Sequence, residues 1–121
     1  MNGIRQQLGD DLAARLTAKK YRIVPSLGKP DRLAKPLIQL EQSAIAPNVG
    51  AKALHEVTVK VHVVTHLDGI TPAADDAIDE LCLEVLAALD GIGYVRVIGA
   101  TKGVWEDAHL EYEIETTIIA S

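Results

Sequence analysis

Val57-Thr58-Val59-Lys60-Val61-His62-Val63 is the stretch that decides the fold. Valine fills every second position, with Thr58, Lys60 and His62 between. Successive side chains of a strand point to opposite faces, so this run has one apolar face and one polar face. The valines need a covering layer, while the polar face stays in water. Asp68-Gly69 closes the strand. Directly after it, Thr71-Pro72 supplies an N-cap hydroxyl and a proline at the first helical position. Asp75 and Asp76 suit the positive end of that helix. Ile78, Leu81, Val85 and Leu89, widened by Cys82 and Leu86, form its apolar face, and Gly91 stands at its C-terminal end. The covering layer therefore follows the strand in the chain.

Working outward, residues 2–19 predict a second amphipathic helix. Ile4, Leu8, Leu12 and Leu16 recur every four residues, with Ala13, Ala14 and Ala18 nearby. Tyr21-Arg22-Ile23-Val24 reads as a short strand stopped by Pro25. Residues 25–36 hold three prolines and a glycine, which deny regular pairing and predict a loop. Leu37 to Ala44 predicts a strand with Ile38, Leu40, Gln42 and Ala44 on one face, broken by Pro47-Asn48-Val49-Gly50. Tyr94 to Ala100 and Leu110 to Ala120 predict two closing strands joined by Thr101–His109. In the last strand Leu110, Tyr112, Ile114, Thr116 and Ile118 alternate with His109, Glu111, Glu113, Glu115 and Thr117. The fold class is α+β: a mostly antiparallel five-stranded sheet with two helices, in the order α-β-β-β-α-β-β. With 121 residues the chain forms one domain over residues 1–121.

Composition removes several function classes. Hydrophobic residues at 48% and charged residues at 24% are ordinary globular values, which excludes disorder for the bulk of the chain. No apolar stretch approaches the ~20 residues that span a bilayer, and the polar start does not read as a secretory signal. A single cysteine, Cys82, forms neither an internal disulfide nor a cysteine metal cluster; a reducing, cytosolic compartment is the simplest expectation. The net charge of −5 is unevenly spread. Residues 1–35 carry eight basic and three acidic side chains, whereas residues 36–121 carry four basic and fourteen acidic ones. Such asymmetry is either an ordinary solvated surface or a basic patch on one copy facing an acidic patch on another. The acidic total disfavours a grip on phosphates, and three tyrosines without phenylalanine offer no stacking platform for single strands.

Reactive constellations are equally sparse. His62 and His66, at helical ligand spacing, fall on a strand, about 13 Å apart, which is too far for one ion. The histidines therefore read as exposed surface residues, and no metal or cofactor is expected. Neither Ser26 nor Ser43 has an activating context, and Cys82 sits on an apolar helix face as an inert thiol. Gly91-Ile92-Gly93 follows a helix, the wrong order for a dinucleotide turn. Glu111, Glu113 and Glu115 make an evenly spaced row, and a uniform exposed row lacks the contrasting environments that acid–base catalysis needs. No catalytic residues are expected. The row is a solvated face, a contact for a neighbouring subunit, or the lining of an aqueous lumen. Trp105, in the link before the last strand, is either core or an interface anchor.

Taken together, the N-terminal Ile-Arg-x-x-Leu-x-x-x-Leu-x-x-x-Leu helix leading to Tyr21-Arg22-Ile23-Val24-Pro25, the proline-rich loop before Pro36-Leu37-Ile38-Gln39-Leu40, the valine strand Val57–Val64 with Asp68-Gly69 and Thr71-Pro72-Ala73-Ala74, Tyr94-Val95-Arg96-Val97, and Tyr112-Glu113-Ile114-Glu115 give a recognisable layout. It resembles the tail terminator proteins of long-tailed bacteriophages, the family that includes minor tail protein U of phage lambda and relatives in actinobacterial phages. The resemblance spans nearly the whole chain in layout and segment character. It implies a structural virion protein rather than an enzyme, assembled in the host cytoplasm and located at the head-proximal end of the tail. Such a protein forms a homohexameric ring that caps the tail tube, ends tail polymerisation and meets the head-completion or connector protein. DNA would pass through the ring without specific binding, past an acidic lining supplied by Glu111, Glu113 and Glu115 or by Glu106 and Asp107. Arg22, Lys29, Arg32, Lys35 and Trp105 are the candidate contacts with an adjacent subunit or the tube. The alternatives are a head–tail connector or stopper and, with a less suitable element order, a small-molecule-binding regulatory domain.

Overall fold

The computed structural model describes residues 3–16, 20–25, 33–47, 54–106 and 108–120. Its elements are α1 (Ile4–Arg15), β1 (Arg22–Val24), β2 (Leu37–Pro47), β3 (His55–Val64), α2 (Pro72–Asp90), β4 (Val95–Trp105) and β5 (His109–Ala120). The α-β-β-β-α-β-β order is as expected. The strands form one sheet in the order β1-β2-β3-β5-β4, which puts the valine strand at its centre. Three of the four pairings are antiparallel; β1 and β2 run parallel. A parallel return needs a connection of about a dozen residues, and the segment between Val24 and Leu37 supplies it. The crossover through α2 carries the chain one strand beyond β3, and the β4–β5 hairpin then fills the vacant place.

Both helices cover the valine face. Val57, Val59, Val61 and Val63 are buried there with Ile38, Leu40, Ile114 and Ile118 from the neighbouring strands. Leu8, Leu12 and Leu16 of the N-terminal segment and Ile78, Leu81, Val85 and Leu89 of α2 close over them. Thr116 lies inside this layer with no exposure, and its hydroxyl donates to the Val59 carbonyl at 2.7 Å. The polar group is thereby satisfied without water.

α1 ends at Arg15, earlier than residue 19, and Leu16 already has extended backbone, so the last leucine of the stripe reaches the core from outside the helix. Ala13 and Ala14 are exposed, and Ala18 lies outside the described residues. Arg15 Nη2 donates to the Gly91 carbonyl at 2.7 Å and the Tyr94 hydroxyl donates to Asp11, tying α1 to the far end of α2. α2 starts as expected: the Thr71 hydroxyl oxygen accepts from the Ala74 N–H at 3.1 Å, with Pro72 at the first turn. Replacing Thr71 with Ala should lower stability by about 1 kcal/mol in a denaturant titration, because one N-terminal amide loses its acceptor. Gly91 does cap the C-terminus, but in right-handed conformation (φ −78°).

Two strands run well past their expected ends, the other strand boundaries moving by one or two residues. β2 continues to Pro47 and carries a bulge between Gln42 and Ala44, so Ala44 pairs with Thr58 and no longer shares a face with Leu40. An extra residue in one strand reverses the facing of all that follow. Beyond Gln42 the strand is exposed on both faces, with Ile45 60% exposed. β4 runs through Trp105, leaving only a tight connection at 106–108 in which Glu106 has φ 53°. Trp105 therefore ends a strand and does not sit in a long link.

Candidate interaction surface

The sheet face opposite the helices carries Gln39 and Glu41 from β2, Thr58, Lys60 and His62 from β3, and Glu111, Glu113 and Glu115 from β5. The expected uniform, exposed glutamate row is absent. Glu111 is only 8% exposed; it pairs in register with Val64, itself paired with Leu37, and both of those side chains are fully buried. His62 Nδ1 lies 3.3 Å from Glu111 Oε1, and His62 Nε2 lies 2.9 Å from Glu41 Oε1. Lys60 Nζ stands 2.9 Å from Glu113 Oε1, whereas Glu115 stays exposed. The three glutamates thus have three environments. Antiparallel pairing sets a β3 side chain diagonally beside each of the first two.

These contacts displace titrations in predictable directions. The hydrogen bond to Glu111, with that to Glu41, holds the His62 pKa above its ordinary 6.5 against the opposing effect of burial. Glu113 likewise raises Lys60. The expectation of exposed histidines fails at two positions. His62 is 14% exposed, and His109 is similarly enclosed, its Nδ1–H donating to the Leu67 carbonyl at 3.1 Å. His66 lies in a bend after β3, not on the strand. Trp105 is half-buried at the hairpin end, its ring 6.0 Å from that of His109, so it is not core.

The two edges of the sheet are unlike. β4 offers eleven residues with one side unpaired among the described residues. Ile98 and Ile119, 51% and 45% exposed, border a shallow depression of about 400 Å³ on this side, shared with Tyr94, Arg96 and Thr117. Val104 is a further exposed apolar residue on β4. The other edge, β1, has three residues, among them the exposed Arg22, whose backbone N–H donates to the Pro36 carbonyl at 2.8 Å beside half-buried Lys35. Of the expected contact residues, Arg22 and Lys35 therefore share the β1–β2 side. Trp105 and exposed Glu106 occupy the β4–β5 hairpin, across the sheet from them. Lys29, Arg32 and Asp107 lie outside the described residues.

One cluster carries no signal in the sequence. Lys102 on β4 reaches Asp75 Oδ1 at 2.5 Å and Asp79 Oδ1 at 2.8 Å on α2, while the Tyr112 hydroxyl donates to Asp79 at 3.0 Å. Lys102, followed by Tyr112, keeps the Asp79 pKa below the usual carboxylate value. The group is exposed and fastens α2 to the β4–β5 hairpin. Among the described residues, no group of three or more His, Cys, Asp or Glu is placed to hold a metal ion, and no helix is long and apolar enough to cross a membrane. No protein-family model matches the chain, and a search of curated proteins finds no significant match.

Proposed function

We propose that this chain is a structural virion subunit, a tail terminator of a long-tailed bacteriophage, which closes head to tail into a ring of six on the end of the tail tube. The observation that carries the reading is the inequality of the sheet edges: a long, open β4 with exposed Ile98 and Val104, opposite a short β1 bearing Arg22. A cyclic ring is built from a heterologous contact in which two different patches meet, and a molecule with unlike patches on opposite sides suits it. An unpaired, apolar edge of this length favours association unless it is covered. The layout likeness to the tail terminator family joins this argument from the sequence side.

In this reading the ring sits at the head-proximal end of the tail, meets the tube protein on one side and a head-completion or connector protein on the other, and lets DNA pass. Glu106 and Glu115 are the exposed acidic candidates for the lumen. Glu111 and Glu113 are less exposed and stand beside His62 and Lys60. The test is electron microscopy of tails assembled without the protein. Overlong tubes are the expected result. Tubes of normal length that fail to join heads would instead make the chain a connector or stopper. Native mass spectrometry of the protein, alone and with tail tube, should include a species of six copies.

A further inference from the structure

We propose that Glu41, His62 and Glu111 form a proton-operated clamp across β2, β3 and β5, closed when the imidazole is charged and half-open when it is neutral. The argument begins with a donor count. Both ring nitrogens of His62 lie within hydrogen-bond reach of a carboxylate oxygen, Nε2 of Glu41 and Nδ1 of Glu111. An ionised carboxylate only accepts, and a neutral imidazole has a single N–H. Two carboxylates are therefore satisfied together only by the imidazolium, which donates on both sides. When the ring loses a proton to solvent, one carboxylate faces a nitrogen lone pair.

Burial decides which side opens. The Glu111 side chain is 11% exposed and that of Glu41 31% exposed. An unpaired carboxylate costs more where water is excluded, so the neutral ring keeps its Nδ1–H on Glu111 and Glu41 turns to solvent. Among the described residues, the other groups on this face leave the balance intact: Glu113, opposite His62 in register, is held by Lys60. Gln39 from β2 is uncharged, Lys60 on β3 is engaged with Glu113, and Glu115 of β5 lies opposite Lys60 in register. The described residues of the helices lie on the opposite, valine face and present no charge to the ring. The consequence is a sheet face that gains one negative charge, and loses one cross-strand tie, as pH rises through the His62 titration. This device stands independently of the ring proposal.

The sign of the linkage follows from a folded-state pKa above the unfolded one. The clamp's stabilisation is complete below the ordinary histidine value of 6.5 and is lost as pH rises through the folded-state value. The experiment is an NMR titration of the His62 ring in the full chain, with Glu41→Gln and Glu111→Gln as companions. The proposal expects His62 to titrate above 6.5 in the unaltered protein and lower in each variant. Urea denaturation against pH supplies a second measurement: the stability advantage over His62→Gln should shrink with rising pH. A His62 that titrates at or below its ordinary value would overturn the clamp. So would a raised value insensitive to both glutamines, or a stability difference that does not change with pH, since a merely structural histidine gives that result.

Discussion

A chain carrying Ile98→Lys together with Ile119→Lys is expected to fold normally and to lose the self-association that the proposed ring requires. Both isoleucines are about half exposed, and both border the same depression beside the open edge of β4. Surface changes of this kind usually move stability by no more than about 0.5 kcal/mol. In a contact the balance is different. A buried apolar anchor that is replaced by an ammonium loses its packing and leaves a charge to be desolvated, and central positions of this type cost about 2 kcal/mol or more. That is roughly a 30-fold weakening per contact. The proposed ring repeats the contact at every interface, so its closed species should be missing from the variant's sedimentation profile while circular dichroism stays that of the unaltered protein. An undiminished ring population in this variant would remove β4 from the interface.

Leu12→Ala is the substitution expected to damage the fold most. Leu12 has no exposure and belongs to the core shared by both helices and the sheet. Truncating a buried leucine costs about 2–5 kcal/mol, the spread depending on how far the site collapses. The position is critical for a second reason. α1 has twelve residues and no side-chain N-cap, so it is marginal as an isolated helix and depends on its leucines for attachment. A domain of this class holds only about 5–15 kcal/mol in total. The variant should lose at least about 10 °C of Tm. Its α1 amides should exchange hydrogen well before those of β3 and β5. A loss below about 0.5 kcal/mol would mean that α1 contributes little to the core.

The site was less legible than the fold, and particular residues show why. Glu111, Glu113 and Glu115 have identical spacing in the sequence, yet one is buried beside Val64 with His62, one is paired with Lys60 and one is exposed. Period-two alternation places all three on one face but is silent about the strands on either side. Likewise, alternation in residues 37–44 puts Ala44 with Leu40, and a single bulge reverses it. Trp105 falls outside the expected strand because Gly99 and Gly103 weaken the pattern, although β4 runs through both.

From the amino-acid order alone came the two helical stripes, the Thr71-Pro72 helix start, the alternation of β3 and β5, and hence the α+β class. These are properties of segments short enough for local backbone geometry to impose them. Strand order, the parallel return of β2 onto β1, the unlike edges and the contacts of His62 were decided by the tertiary structure. His62 lies 21 residues from Glu41 and 49 from Glu111, and only the shared sheet brings them within hydrogen-bond reach. Such pairings follow from how every element buries its apolar face at once, which no local period records.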